Sequence, residues 1–172
     1  MTPNYFVFCE GETEVAYVEM LRAYYRLPIR IIAKKTMQNI TQKLVERCEA
    51  VYIQTKNDRT YLMYDLDVAT MFDRLSKIKD ATLLCSNPCF ELWLLLHHSD
   101  QSAPLTSAEC VNRLSSFVNQ YKKGVLEPEE KQCLLINTPL ATLRAKAMES
   151  FGNPSTTVYR LLEDLEKLRS RA

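Results

Sequence analysis

The chain has 172 residues and a formal net charge of +1, with Leu, Val, Ile and Phe making up about 27% of it. That content lies above the roughly 20% level below which disorder prevails, and with 3 glycines and 7 prolines the chain is neither collagen-like nor low-complexity. The near-neutral balance excludes the strongly basic profile of a non-specific nucleic-acid coat, and no apolar run approaches the ~18 residues of a membrane span.

Tyr5 to Cys9 is aromatic and β-branched and predicts a buried first strand, stopped by Glu10-Gly11. A helix follows, capped by Thr13, with Val18, Leu21 and Tyr25 on one face and Pro28 closing the segment. Ile29 to Ile32 predicts a short second strand, and Met37 to Ala50 a helix with Ile40, Leu44 and Cys48 inward. Thr60 to Tyr64 is the third strand and delivers Asp65-Leu66-Asp67 at its carboxyl end; a helix near Ala69 to Lys77 and a fourth strand, Ala81 to Cys85, follow. Strand and helix alternate, which predicts a mostly parallel sheet flanked by helices. From Phe90 the pattern turns helical: Phe90 to His97, a capping box at Thr106 to Glu109, a segment around Leu140 and Leu143, and a last helix capped by Ser155 or Thr156. No strand is predicted there. The expected organisation is an α/β core over residues 1–100 and a helical C-terminal part over 101–172, packed on it.

Glu10 follows the first strand, and Asp65 and Asp67 follow the third. Open α/β sheets collect ligands and reactive groups at the carboxyl ends of their strands. If those strands are neighbours, the carboxylates converge, and Asp65 and Asp67 share a direction if the backbone stays extended. Gathered carboxylates repel unless a proton or a cation neutralises them. Hard oxygen donors suit Mg²⁺ or Mn²⁺, and such a site can polarise a phosphodiester and activate water. An isolated Asp-x-Asp is ordinarily solvated turn chemistry.

The blocks Cys9-Glu10-Gly11-Glu12-Thr13-Glu14, Asp65-Leu66-Asp67, Ser86-Asn87-Pro88-Cys89-Phe90-Glu91-Leu92-Trp93, Ala103-Pro104-Leu105-Thr106 and Asn153-Pro154-Ser155-Thr156 resemble, in order and spacing, the RloB family. The Ser86 to Trp93 block is the specific signature; the acidic motifs are those of the wider TOPRIM superfamily. The resemblance implies a TOPRIM-like fold and a Mg²⁺-dependent nuclease, a hydrolase of antiviral defence or abortive infection. It also implies a separately encoded ABC/SMC-like ATPase as partner. By position, Glu10 matches the TOPRIM glutamate, Asp65 and Asp67 the metal-binding pair, and Glu14 a second glutamate that could hold metal. Val68 and Ala69 depart from the pattern after the pair, which speaks for one metal rather than two.

Glu91, early in the Phe90 helix, either completes the metal site or satisfies backbone donors there. Asn87 reads as part of a turn. Cys85 and Cys89 have a spacing within the finger range, but His97 and His98 are adjacent and no second pair has finger spacing, so the cysteines read as buried thiols. The chain has no Walker-type loop, so an ATPase would be another chain. Lys34, Lys35, Lys43, Arg47, Lys56 and Arg59 tint the first half basic; they could track a nucleic-acid backbone, though a solvated face is the commoner use. Met1-Thr2-Pro3-Asn4 lacks a secretory signal, so a cytoplasmic chain with six reduced cysteines is expected. The expected function is cleavage of nucleic acid, DNA or RNA including tRNA, with Glu10, Asp65 and Asp67 catalytic and Glu10, Glu14, Asp65, Asp67 and Glu91 around the ion. The rival is a non-catalytic module of the same fold that docks on an ATPase.

Overall fold

Every residue of the first strand, Asn4–Cys9 (β1), is buried, because β1 lies inside the sheet with both faces covered. The computed structural model describes residues 1–171. After β1 come α1 (Glu12–Tyr25), β2 (Arg30–Lys35), α2 (Gln42–Glu49), β3 (Arg59–Asp65), α3 (Met71–Ser76) and β4 (Ala81–Asn87). The second half holds α4 (Glu91–Leu95), α5 (Ser107–Ser115), α6 (Pro128–Lys146), β5 (Ser155–Thr156) and α7 (Tyr159–Arg169). The sheet order is β2-β1-β3-β4-β5, parallel except for β5. The fold is therefore α/β with a mostly parallel sheet, as expected, and β1 and β3 are direct neighbours.

Strand periodicity divides the core. Tyr5, Val7, Cys9, Tyr61, Met63 and Leu84 join one apolar layer, whereas Phe6, Phe8, Leu62, Tyr64 and Cys85 join the other. The first layer takes in α1 and the helices of the second half, through Trp93, Leu94 to Leu96, Leu114, Leu134 and Leu161. The second is covered by α2 and α3, through Val45, Met71 and Leu75.

Several local expectations are corrected. α2 starts at Gln42 rather than near Met37, because Thr41 caps it, its Oγ1 accepting from the Leu44 N–H at 3.2 Å. Thr13 does not cap α1: Gly11 does, without a side-chain bond, and Thr13 is buried as the second residue of the helix. The second half does contain a strand. Ser155 and Thr156 pair antiparallel with Asn87 and Ser86 instead of capping α7. A two-residue strand carries no periodicity, so only the partner edge reveals it. The capping box of α5 is present as read, Thr106 and Glu109 serving each other's backbone N–H.

Candidate functional site

The strand ends that the topology aligns carry the acidic residues. Cys9 lies level with Met63 and Lys35, and Asp65 with Ser86. Four side chains converge on a pocket of about 350 Å³: Glu10 after β1, Glu14 in the first turn of α1, Asp65 at the end of β3 and Glu91 at the start of α4. Glu12, Lys35 and Lys123 complete the charged lining. Asp67 is placed elsewhere. The extended backbone stops at Asp65, so the i, i+2 alignment is lost, and Asp67 is exposed and outside the lining.

Glu10, Asp65 and Glu91 are each held by a donor from another element. Glu10 Oε2 accepts from the Asp65 backbone N–H at 3.0 Å, and its Oε1 from Gln38 Nε2 at 3.1 Å. Asp65 Oδ1 accepts from the Phe90 N–H at 2.8 Å, the donor that opens α4. Glu91 Oε1 accepts from the Tyr121 hydroxyl at 2.8 Å and lies 3.7 Å from Lys123 Nζ. Glu91 thus faces the pocket rather than serving its own helix start. The Glu14 carboxylate folds back over Gly11, where an added Cβ would stand 3.0 Å from Oε2. The extended backbone of Gly11 suits any residue, so what a side chain there would meet is the Glu14 carboxylate, which would have to give by a few tenths of an ångström.

The electrostatics follow from burial and like charge. Glu14 is raised to about 7, first by burial, then by the charges of Glu91 and Glu10. Asp65 is raised well above the usual carboxylate range by burial, then by Glu14, Glu10 and Glu91. The Lys123 ammonium is raised in turn, chiefly by Glu91. On the rim, Lys35 pairs with Glu12 at 2.9 Å.

The chain's comparison with protein families gives a match over residues 5–165 to the family described as RloB-like protein. The chain belongs to this family. No curated protein and no solved structure matches it. In this RloB-like chain the Ser86 to Trp93 block has a physical role: it carries β4 out of the sheet, supplies the Phe90 donor to Asp65 and turns Glu91 into the pocket.

Do these residues suit Mg²⁺? The donor set is all carboxylate, the hard oxygen chemistry that Mg²⁺ takes, and its excess negative charge is what a divalent cation relieves. Among the described residues, no three of these carboxylates place oxygens mutually within 4.8 Å. Mg²⁺ keeps several waters and takes one or two direct carboxylates, so the wider spacing fits it better than a cage of protein ligands.

Nothing in the sequence marks Tyr121 and Gln38, and Lys123 stands there only as one of several basic residues that suit a nucleic-acid backbone or a solvated face equally. Tyr121 and Lys123 sit in a polar turn some thirty residues beyond Glu91, and Gln38 in another before α2, where no spacing rule marks them. Gly124 holds the first turn in place. Its φ is +79°, an added Cβ would stand 2.9 Å from Glu12 Cβ, and its N–H donates to Thr13 Oγ1 at 2.9 Å. Cys85 and Cys89 are buried on opposite faces of the sheet, which excludes a shared zinc site for them. His97 is buried, its Nδ1–H donating to Trp93 O at 2.8 Å. Among the described residues no helix is long and apolar enough to cross a membrane.

Proposed function

We propose that the carboxylate pocket is a Mg²⁺- or Mn²⁺-dependent phosphodiesterase site, and that the chain is a nuclease subunit. The observation that carries this reading is the convergence of Glu10, Glu14, Asp65 and Glu91, from four separate elements, at the carboxyl edge of a parallel sheet. A bound divalent cation would supply charge neutralisation at a phosphoryl oxygen and a lower pKa for water. Asp65, Glu10, Glu14 and Glu91 are the residues that would hold it. The residues' own work is orientation and proton holding. The Asp65 N–H fixes Glu10, the Phe90 N–H fixes Asp65, and Tyr121 fixes Glu91, so these three carboxylates are set before an ion arrives. Glu14, raised to about 7, is about half protonated at neutral pH in the ion-free protein and can exchange a proton with the reacting group. Lys35 and Lys123, both exposed at the rim, can take a nucleic-acid phosphate.

The resemblance further supports a role in anti-phage defence, in the cytoplasm, alongside a separately encoded ABC/SMC-like ATPase. The test is cleavage of labelled DNA and RNA, tRNA included, by the chain alone and with its genomic neighbour, with and without Mg²⁺. Activity that needs the ion and is lost in Asp65→Asn supports the nuclease. If Mg²⁺ neither binds nor stimulates cleavage in any combination, the docking module becomes the better account.

A further inference from the structure

A second cluster of ligand-type side chains lies away from the carboxylate pocket, on elements that the proposed chemistry leaves unused. His98 follows α4, and Glu130 and Cys133 stand at i and i+3 on α6, hence on one face of that helix. One donor atom from each residue lies within 4.8 Å of the other two, and this is the one such group among the described residues. His98 Nε2 is 3.1 Å from Glu130 Oε1, and Cys133 Sγ is 4.0 Å from Nε2 and 3.8 Å from Nδ1. Tetrahedral angles with Zn–N and Zn–O near 2.0 Å and Zn–S near 2.3 Å put such donor pairs roughly 3.3–3.6 Å apart. His98 Nε2 and Glu130 Oε1 already stand close to that separation, and Cys133 Sγ lies about half an ångström too far from Nε2.

The surroundings are those of a built site. The side chains of His98 and Glu130 are 12% and 8% exposed, so the Glu130 charge is largely cut off from water. The His98 ring stacks on Phe117 at a centroid distance of 5.4 Å, which fixes its plane. Asn137 Nδ2 donates to Cys133 Sγ at 3.3 Å, a contact that would steady a thiolate. One carboxylate and one thiolate neutralise a divalent cation in a site where leftover charge would be costly.

We propose that His98, Glu130 and Cys133 bind a single Zn²⁺, with solvent in the fourth position. The mixed N, O and S donor set suits zinc and not the magnesium expected at the carboxylate pocket. Coordination through Nε2 moves the imidazole proton to Nδ1 and releases the Cys133 thiol proton to solvent. The ion would tie the segment after α4 to α6, across the layer where the second half of the chain meets the sheet.

The experiment is a Co²⁺ titration of the chelator-stripped full-length chain, followed by absorption. One equivalent should produce the visible bands of tetrahedral cobalt together with a thiolate-to-cobalt charge-transfer band, and Zn²⁺ should bleach both. Cys133→Ser should abolish the charge-transfer band. His98→Ala and Glu130→Gln should weaken binding by roughly tenfold or more, since losing even a supporting partner of a metal ligand costs about that much. Cys48→Ser and Asp65→Asn should leave the band unchanged. Far-ultraviolet circular dichroism of each variant without metal controls for folding. Absence of the charge-transfer band in the unaltered chain overturns the proposal without relying on any variant. So does its survival in Cys133→Ser or its loss in Asp65→Asn. Either result leaves a His98–Glu130 hydrogen bond beside a bystander thiol.

Discussion

Glu14 shows how one buried carboxyl couples site chemistry to stability. Its pKa is about 7 in the folded protein, against an ordinary 4.5. A raised acid means that the folded state binds more protons than the unfolded state between those two values. Stability from this group is therefore full below about pH 4.5 and falls as pH rises towards 7, by up to about 3 kcal/mol. His97, lowered to about 4 by burial, pulls the other way over part of that range. Comparing variants removes its contribution. We expect Glu14→Gln to match the parent chain in acid and to exceed it at pH 8 in ion-free melting curves; a constant difference across pH would refute the assignment. Single-residue tests also rank the carboxylates. Mg²⁺ at 100 times its dissociation constant should stabilise the parent chain by about 2.7 kcal/mol. Asp65→Asn and Glu10→Gln should lose most of that shift. Asp67→Asn, whose side chain lies outside the pocket lining, should keep it. Equal losses in all three would place Asp67 at the ion after all.

Two further elements hold the pocket in shape. The turn before α6 sits on the start of α1 through Gly124, in a left-handed conformation with Glu12 Cβ against it. Gly124→Ala meets both strain and a clash, and should lower stability by about 1 kcal/mol or more, a melting decrease of roughly 2–4 °C or more. Because Tyr121 and Lys123 belong to the same turn, ion affinity should fall with it; a variant as stable as the parent would show that the turn is not seated on α1. The other element is the short strand β5. Just beyond it, the buried Thr157 hydroxyl accepts from the Cys85 N–H at 3.0 Å and donates to Leu83 O at 2.9 Å. Thr157→Val keeps the shape but leaves those backbone groups unpaired, and should cost about 1–3 kcal/mol in denaturant unfolding. A cost near zero would mean that β5 contributes little to the sheet.

At the scale of the molecule, the apolar layer that receives Trp93 and Leu94 to Leu96 is completed by Leu114, Leu134, Leu161 and Leu165 from beyond residue 100. All four residues of the Trp93 to Leu96 run are fully buried. Cutting the chain after residue 100 would expose that run as a contiguous apolar patch. The parts over 1–100 and 101–172 therefore share one apolar layer. We expect the 1–100 fragment to aggregate or to lack a cooperative melt, while the full chain unfolds in one transition. A soluble, cooperatively melting fragment would establish a self-sufficient core.

The sequence by itself determined the element types of the first half and the strand ends at which acids would gather. Strands with both faces buried and helices with one apolar face are written in local periodicity, and Glu10-Gly11 and Asp65 stand where those patterns stop. It determined equally that Thr106 and Glu109 would cap a helix, since that bond spans three residues. Only the tertiary structure decided which carboxylates meet. Pairing of β1 with β3 brings Glu10 to Asp65, the backbone leaving the sheet sends Asp67 outward, and Tyr121 settles the direction of Glu91 from thirty residues away. The same holds for β5, which exists because β4 offers an edge, and for His98, Glu130 and Cys133. Their spacing along the chain matches no ligand motif, and α6 sets them together only once it packs against the segment after α4. Local pattern fixes what each segment becomes; distance between side chains far apart in sequence is a property of packing.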